Sequence, residues 1–363
     1  MLLSGNLRSY PSKPSSPIKA LKTLTISSLL RSPSPPRKKL PKLSTATAAA
    51  AASSSSATPP ILESPQTVIP SWAEFAARVS GEWDGFGADF TTTGCPIELP
   101  ENVVPEAYRE WGVEVFDWQT QCPTLASESG DRSLFYKLIR LLPTVGCEAD
   151  AATRYSVEER VAGDPENGAL AFGYDPSGCY VAVWPRAAGE LELEHCLVDP
   201  GNREVRLRVV QVVKVEGEGM RLAGIRVFSE QWYGPFRNGE QLGGCAIRES
   251  GFAATKKVEV SEVIGEWQSM RMAVFRSQGG EKDIFHELIE DRPQKSIRDE
   301  EGLVALPKQL WCSLKEKPVG EISAEVGWLA DHGRAMTSRC VFLHGGRLKE
   351  IALTQEVAVP TKM

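Results

Sequence analysis

Residues 205–215, Val-Arg-Leu-Arg-Val-Val-Gln-Val-Val-Lys-Val, carry the clearest structural signal in this chain of 363 residues. Apolar side chains recur at every second position from Val205 through Leu207 to Val209, a period of two that is typical of a β-strand with one buried face. Gly-Glu-Gly follows at 217–219, and glycine favours a tight turn. The stretch therefore predicts an antiparallel hairpin.

Similar alternating stretches recur between residues 82 and 237, and one of them is Trp111-Gly112-Val113-Glu114-Val115. The turn sequences between them lie at 129–131, 164–168, 175–178 and 199–202. About eight or nine strands joined in sequence order predict an antiparallel meander, which avoids exposed edges by closing into a barrel. About six or seven further strands after Gly251 predict a second, smaller barrel, so the predicted fold class is all-β.

A short helix is predicted immediately before the first strand. Ser71 and Glu74 have the spacing of a capping box. Trp72, Phe75 and Val79 fall on one face at helical spacing. We expect this face to pack against the first barrel.

The N-terminal residues 1–57 differ sharply in charge from the rest of the chain. They contain nine basic and no acidic residues, which leaves 32 basic and 47 acidic residues for the remainder. A hydroxyl-rich, acid-free segment of this kind is typical of an organelle transit peptide. Its scattered prolines would interrupt an amphipathic helix, so we predict the chloroplast, with the stroma as destination, over the mitochondrion. The alternative is a disordered N-terminal tail that is not cleaved. Residues 58–70 are predicted to be a linker. The acidic remainder is a poor candidate for binding nucleic acid.

Eight cysteines are widely spaced, with no C-x-x-C pair. In a plastid protein this pattern favours free buried thiols, with a redox-linked pair as the alternative. The four histidines do not have the spacing of metal ligands, so no metal site is predicted.

An internal repeat divides the folded part. Gly81-Glu82-Trp83 recurs as Gly265-Glu266-Trp267, each copy before a first strand. Two further shared features follow in the same order, Leu-Pro at 99–100 and 306–307 and a strand at 113–118 and 324–328. We interpret the repeat as two related domains, at residues 71–255 and 256–363.

A Gly-x-Trp sequence at the start of the first strand, after a short helix, resembles the lipocalin (calycin) signature. Together with the meander and Val-Gly-Trp-Leu at 326–329, it resembles a two-domain lipocalin-like family of plants and cyanobacteria, and it is similar to the phycobiliprotein chromophore lyases. The resemblance implies two tandem lipocalin-like barrels, with Trp83 and Trp267 as plugs of their closed ends. No residue here matches a lyase's bilin-binding position, so the resemblance names no ligand.

Isolated polar residues and aromatic residues on apolar strands are the candidate ligand-binding residues, because an apolar pocket with a few polar groups is typical of a ligand site. They are Asp117, Tyr136, Arg140, Glu159, Trp184, His195 and Gln211. The alternative is that the polar members pair with one another or lie in water at strand ends. Tyr136 and Trp184 could stack on a planar ligand, but aromatic residues in strands are more often simple core residues.

Three functions stay open at this stage. The first is binding of a small hydrophobic or pigment-like ligand, such as a tetrapyrrole, a carotenoid or a lipid, in the first barrel. The second is a non-enzymatic interaction module whose acidic surface binds a basic chloroplast protein. The third is a pigment lyase or isomerase. No catalytic residue is predicted, because phosphate-binding, nucleophile-elbow and zinc-protease sequences are missing from the chain, and no membrane-spanning segment is predicted.

Overall fold

The computed structural model describes residues 71–127, 131–145, 153–186, 189–240, 251–331 and 333–360. The predicted transit peptide and linker lie outside these residues, as do Cys147 and Cys245. Within the described part, no helix is long and apolar enough to cross a membrane.

The predicted first helix is confirmed as α1 (Ser71–Val79), and Trp72, Phe75, Ala76 and Val79 are its buried residues. Two further short helices are α2 (Glu106–Glu110) and α3 (Val260–Val263), and single 3₁₀ turns lie at Phe252–Ala254 and His344–Gly346.

Among the described residues, ten strands precede the second Gly-Glu-Trp sequence. They are β1 (Glu82–Phe90), β2 (Asp117–Gln121), β3 (Thr124–Ala126), β4 (Leu134–Leu141), β5 (Arg154–Val161), β6 (Ala171–Tyr174), β7 (Tyr180–Pro185), β8 (Glu190–Val198), β9 (Val205–Glu216) and β10 (Gly219–Gly234). The predicted hairpin is therefore β9–β10, and Gly217 takes a φ of +63° in its turn.

Nine strands follow in the part of the chain that the structure describes. They are β11 (Gly265–Arg276), β12 (Phe285–Glu287), β13 (Ile289–Asp291), β14 (Lys295–Arg298), β15 (Leu303–Ala305), β16 (Leu310–Glu316), β17 (Ile322–Asp331), β18 (Arg334–Leu343) and β19 (Arg347–Ala358).

The strands form two sheets, and the fold is mostly β as predicted. The first sheet has the order β12-β6-β7-β8-β9-β10-β1-β2-β4-β3, with β5 beside β4, and the second has the order β13-β11-β19-β18-β17-β16-β15, with β14 beside β11. Strand β12 pairs with β6 in parallel, so the first sheet is mixed rather than wholly antiparallel. This parallel strand comes from beyond residue 256.

The first sheet curls into a half-barrel. Tyr136 on β4 donates a hydrogen bond to Glu194 on β8, although four other strands lie between β4 and β8 in the sheet order. Among the described residues no strand pairing joins β5 to β6, so the curl stays open. A closed barrel would require that pairing.

The main core lies between the two sheets and explains the apolar alternation. One face of the first sheet contributes Leu193, Leu197, Leu207, Val209, Val213 and Val227, and the second sheet contributes Leu310, Cys312, Val326, Phe342 and Ile351. The apolar face of β8–β10 therefore packs against the second sheet. The opposite, concave face forms the interior of the curl.

The strand predicted at residues 111–115 is wrong. Residues 113–116 have no regular secondary structure and precede β2, and Trp111 is 63% exposed. A five-residue alternation is too short to distinguish a strand from a helix end followed by an extended loop.

The Gly-Glu-Trp repeat has a structural counterpart. Trp83 Nε1 donates to the carbonyl oxygen of Val79 at 2.9 Å, and Trp267 Nε1 donates to that of Val263 at 2.8 Å. Each indole thus satisfies a free carbonyl at the end of the preceding helix. The third repeated feature does not correspond, because β2 pairs with β1 whereas β17 pairs with β16 and β18.

Gly85 and Gly87 permit close approach of two strands. A Cβ atom on Gly85 would lie 1.9 Å from the carbonyl oxygen of Ser229, and one on Gly87 would lie 2.5 Å from the ring of Phe228. Both contacts are with β10, so the glycines allow β1 to pack tightly there.

Five of the six described cysteines are buried thiols, and Cys95 is exposed. Burial raises the pKa of Cys122 and of Cys179 to about 11, so both are neutral near pH 7. These thiols are core residues in the present fold.

Candidate functional site

The concave face of the first sheet, which we call the first interior, contains a buried ionic cluster. Arg208 on β9 donates to Glu194 at 2.8 Å and through two nitrogens to Glu230, also at 2.8 Å. Arg206 donates to the same Glu230 at 2.7 Å. All four side chains are at most 1% exposed. Two guanidiniums and two carboxylates therefore neutralise each other inside the curl.

Aromatic side chains surround this cluster. Arg206 lies 4.2 Å from the ring centre of Trp83, and Arg208 lies 5.1 Å from that of Tyr136. Guanidinium groups at such distances gain cation–π attraction, which is strongest where water is excluded. The aromatic contacts thus stabilise the buried charges.

Glu194 is the most heavily hydrogen-bonded acid of the cluster. Besides Arg208, it accepts bonds from Tyr136 at 2.7 Å, Tyr180 at 2.8 Å and Trp184 at 2.9 Å. Burial alone would raise its pKa, but the guanidiniums of Arg208 and Arg160 and the Tyr136 hydroxyl lower the pKa to about 2. Glu194 is therefore a permanently ionised anchor rather than a proton donor near pH 7.

A second layer of ion pairs lies toward the other end of the first interior. Glu192, which is 1% exposed, contacts Arg160 and Arg226 at 2.5 Å each and Arg186 at 3.2 Å. Glu158 also pairs with Arg160. The first interior is thus occupied by its own side chains over two layers.

The concave face of the second sheet begins with a related arrangement. Arg298 on β14 donates to Glu325 at 2.6 Å, and its Nη2 lies 2.7 Å from Glu356. Its guanidinium is 5.5 Å from the ring centres of both Trp267 and Trp311. In both sheets, therefore, an arginine that pairs with a carboxylate lies over the indole of the Gly-Glu-Trp sequence.

Next to Arg298, the concave face of the second sheet borders a cavity rather than a packed layer of side chains. A cavity of about 460 Å³, which we call the second-sheet cavity, lies against β14–β19. Its cationic lining residues are Lys295, Arg298, Lys315, Lys317, Arg339 and Lys349. Its acidic lining residues are Asp299, Glu301, Glu321, Glu325 and Glu350. The wall is strongly polar and has one more cation than carboxylates.

Gly327 on β17 shapes the inner end of this face. A Cβ atom there would lie 2.0 Å from the Trp311 ring. The glycine of the Val-Gly-Trp-Leu sequence is therefore required because an indole lies directly against the backbone.

A larger hollow of about 750 Å³ lies at the surface among the loops 131–132, 163–170 and 282–285. Its polar groups are well hydrated: the side chain of Arg132 is 41% exposed and that of Asp283 is 58% exposed.

Three of the predicted site residues lie in the first interior. Tyr136 and Trp184 both bind Glu194, so they belong to the buried cluster. Arg140 lies on the same face of β4, and burial lowers its pKa. Among the described residues, no carboxylate oxygen lies within 4.0 Å of its guanidinium.

Two other predicted residues lie between the sheets. His195 Nδ1 is 2.6 Å from Ser338 Oγ on β18, and Gln211 Nε2 donates to the carbonyl oxygen of Ser313 at 3.0 Å. Burial lowers the pKa of His195 to about 4, so the ring is neutral near pH 7. Both residues join the two sheets through polar contacts in an otherwise apolar core.

The remaining two predicted residues are elsewhere. Asp117 accepts a hydrogen bond from the backbone of Ala253 at 3.2 Å, at the start of the 3₁₀ turn. Glu159 is 55% exposed and pairs with Lys137 at 3.0 Å. The seven predicted residues therefore do not converge on one pocket.

The sequence prediction missed the charged positions that fill the interior. Arg206 and Arg208 alternate with the apolar residues of β9, and Glu192 and Glu194 do the same on β8. Opposite charges at alternate positions of two paired strands were the available signal. Among the described residues, no group of three potential ligands is placed to hold a metal ion.

Comparisons with known proteins give no functional identification. The sequence matches no family model and no curated protein. The structure is similar to that of a protein of unknown function from the DUF3598 family of Nostoc punctiforme, with a TM-score of 0.49, 14% identity, and coverage of 80% of this chain and 100% of that one. It is also similar to MucB in complex with MucA(peri), with a TM-score of 0.18, 10% identity, and coverage of 80% and 92%. Neither likeness is close enough to indicate a shared activity.

Proposed function

We propose that the protein binds a small polar molecule in the second-sheet cavity. The observation that carries this proposal is the contrast between the two concave faces. The first interior is filled by side chains that bind one another, whereas the second encloses about 460 Å³. Ligand sites in proteins have volumes of about 300–1,000 Å³.

The chemistry of the wall selects the class of ligand. Eleven of the lining residues are charged, whereas apolar lining is contributed by Ile297, Leu303 and Val341. An apolar molecule would remove water from these charges without replacing its hydrogen bonds. A polar molecule would supply those bonds.

The hydrophobic or pigment-like ligand suggested by the sequence is the less favoured alternative. Its expected location was the first interior, which contains Arg206, Arg208, Glu194 and Glu230. A tetrapyrrole, carotenoid or lipid would have to displace this buried ionic cluster, and breaking buried ion pairs is costly.

A plastid location remains part of the proposal and rests on the basic, acid-free residues 1–57. A fusion of these residues to a fluorescent protein should accumulate in chloroplasts. Fluorescence that stays in the cytosol would contradict this part of the proposal and would leave the binding function untouched.

Cavity-filling variants test the proposed function. Ser323 on β17 lines the cavity, so Ser323→Trp should fill it, whereas Thr92→Trp adds the same side chain to an exposed turn. Each full-length protein is incubated with a soluble chloroplast extract, and retained compounds are identified by mass spectrometry. We expect at least one compound to be retained by the wild type and by Thr92→Trp but not by folded Ser323→Trp.

The proposed function fails if all three proteins retain the same compounds, or if none of them retains any. Retention of an apolar compound by Ser323→Trp as well would instead favour the first interior.

A further inference from the structure

We propose that the second-sheet cavity recognises an oxyanion, a carboxylate or phosphate group of its ligand, and that Lys317 is the principal residue that receives it. This inference rests on the proposed function and adds the chemical class of the ligand and the group that selects it.

Most of the cations on the cavity wall already have a carboxylate partner. Arg339 pairs with Glu350 at 3.0 Å, and Lys315 pairs with Asp299 at 2.6 Å. Arg298 pairs with Glu325, Lys349 with Glu321 and Lys295 with Glu266. These cations are neutralised by the protein itself.

Lys317 differs from them. Across the ranges that the structure describes, no carboxylate oxygen lies within 4.0 Å of its amine, although it lines the same cavity and is half-buried. Burial and the neighbouring Arg339 and Lys349 lower its pKa, and Glu321 and Glu350 only partly offset this effect. A cation that is disfavoured by its surroundings gains the most from a bound anion.

The backbone holds Lys317 in position. It lies at the corner between β16 and β17, where its N–H donates to the carbonyl of Glu321 at 2.6 Å and its own carbonyl accepts from Gly320 at 2.8 Å. Pro318 follows and fixes the next φ angle. The unpaired ammonium is thus presented from a rigid hairpin rather than from a free loop.

Within the described part of the chain, two hydrogen-bond donors of the cavity wall also lack a partner. Arg298 Nη1 and Arg339 Nε are buried and have no acceptor among the described residues. A buried donor without a partner is costly. Since arginine nitrogens suit the planar oxygens of carboxylates and the oxygens of phosphate, small side-chain shifts would let an oxyanion satisfy them together with Lys317.

The charge of the whole molecule makes this cavity distinctive. Outside residues 1–57 the chain has 15 more acidic than basic residues, whereas the cavity wall has one more cation than carboxylates. The wall of the cavity is therefore less acidic than the chain as a whole, which lowers the electrostatic repulsion that an anion meets there.

Isothermal titration calorimetry of the full-length protein tests the inference. The protein is titrated with sodium phosphate and, separately, with sodium acetate at constant ionic strength. Lys317→Gln is compared with Lys256→Gln, which removes the same charge from a residue whose side chain is 79% exposed and outside the cavity. We expect binding of at least one anion, weakened at least tenfold in Lys317→Gln and changed less than twofold in Lys256→Gln. Preference for phosphate over acetate, or the reverse, identifies which oxyanion the ligand carries.

Equal anion affinity in folded Lys317→Gln and the wild type would overturn the inference, and so would undiminished binding in Ser323→Trp. If neither anion binds but a neutral compound from the extract is lost in Ser323→Trp, the oxyanion inference is wrong and the proposed function stands. If no compound and no anion binds, both are wrong.

Discussion

The two concave faces of this protein begin alike and end differently. In each, a tryptophan of a Gly-Glu-Trp sequence lies beside an arginine that pairs with a carboxylate: Trp83 with Arg206 in the first sheet, and Trp267 with Arg298 in the second. The first face continues with a second layer of ion pairs, whereas the second opens into a cavity of about 460 Å³.

This difference shows how one arrangement can serve two purposes. In the first interior, the ion pairs of Arg206 and Arg208 with Glu194 and Glu230 fix which strands face each other. Pairing is not complete there, because Arg206 Nη1 has no acceptor among the described residues and Arg140 has no carboxylate within 4.0 Å. The second-sheet cavity has space beside the unpaired Lys317, so a bound anion can pair with this cation. The filled first interior thus favours a structural role, whereas the open space beside Lys317 favours binding of an anion.

Truncating the two tryptophans should have the largest effect on stability. It should also show whether the indole of each Gly-Glu-Trp sequence contributes equally to the stability of its sheet. Trp83→Ala and Trp267→Ala each remove an indole that is 1% exposed, so each should lower the free energy of unfolding by about 3–5 kcal/mol. Chemical denaturation measures this loss. A melting temperature unchanged in either variant would contradict a core role for that indole.

Removing one cation should lower the free energy of unfolding by different amounts in the two interiors. Arg208→Met leaves Glu194 and Glu230 without their shared partner and should cost about 3–5 kcal/mol. Lys315→Met in the second sheet removes a cation whose partners are 58% and 77% exposed, so it should cost less than about 1 kcal/mol. Similar losses in the two variants would refute the distinction between a filled and an open interior.

The pH dependence of Asp84 tests the face of β1 that lies opposite the first interior, on the side of Phe86 and Ala88. Burial raises the pKa of Asp84 to about 7, against the hydrogen bond from Gln121. The unfolded carboxyl ionises near pH 4, so this group destabilises the fold increasingly as the pH rises from 4 to 7. Asp84→Asn should therefore stabilise the protein by about 1–3 kcal/mol at pH 8 and by little at pH 3.

The exposed Asp283→Asn is the matched control and should change stability little at either pH. A stabilisation by Asp84→Asn that is equal at pH 3 and pH 8 would show that the carboxyl is not held protonated by burial.

The smallest expected effect concerns the contact between the sheets. Ser338→Ala removes the partner of His195 Nδ1 and should cost about 0.5–1.5 kcal/mol at pH 7. Because burial lowers the pKa of His195 to about 4, the contribution of the neutral ring is present above pH 6.5 and is lost as the pH falls toward 4. Stability that rises on acidification from pH 6.5 to 5 in the His195-containing protein, relative to His195→Gln, would contradict this sign.

Much of the local structure could be predicted from the sequence. The helix α1, the β9–β10 hairpin and the Gly-Glu-Trp repeat each depend on short-range patterns, such as helical spacing or glycine in a turn. The strand at 111–115 failed because a short alternation does not exclude a helix end and a loop. The parallel pairing of β12 with β6 depends on contacts about 113 residues apart, which no local pattern records.

The site could be predicted only in part, because alternation distinguishes two faces of a strand but not which of them is concave. The apolar face of Val209 was expected to line a pocket, yet it packs on the second sheet, and the charged face of Arg208 lines the interior. Tyr136 and Trp184 were selected as aromatics and do lie inside. Lys317 has no sequence signal, since only the arrangement of its neighbours shows that it is unpaired.

Thiol labelling under native conditions tests the contrast between the interiors most directly. Ser323→Cys places a thiol in the second-sheet cavity, while native Cys196 lies in the first interior and is fully buried. Methyl methanethiosulfonate is the labelling reagent, and peptide mass spectrometry detects the modified thiols. We predict that the thiol introduced by Ser323→Cys is labelled within minutes, whereas Cys196 is not labelled until the protein unfolds. Equal labelling of both positions, or protection of the cavity position, would contradict the account.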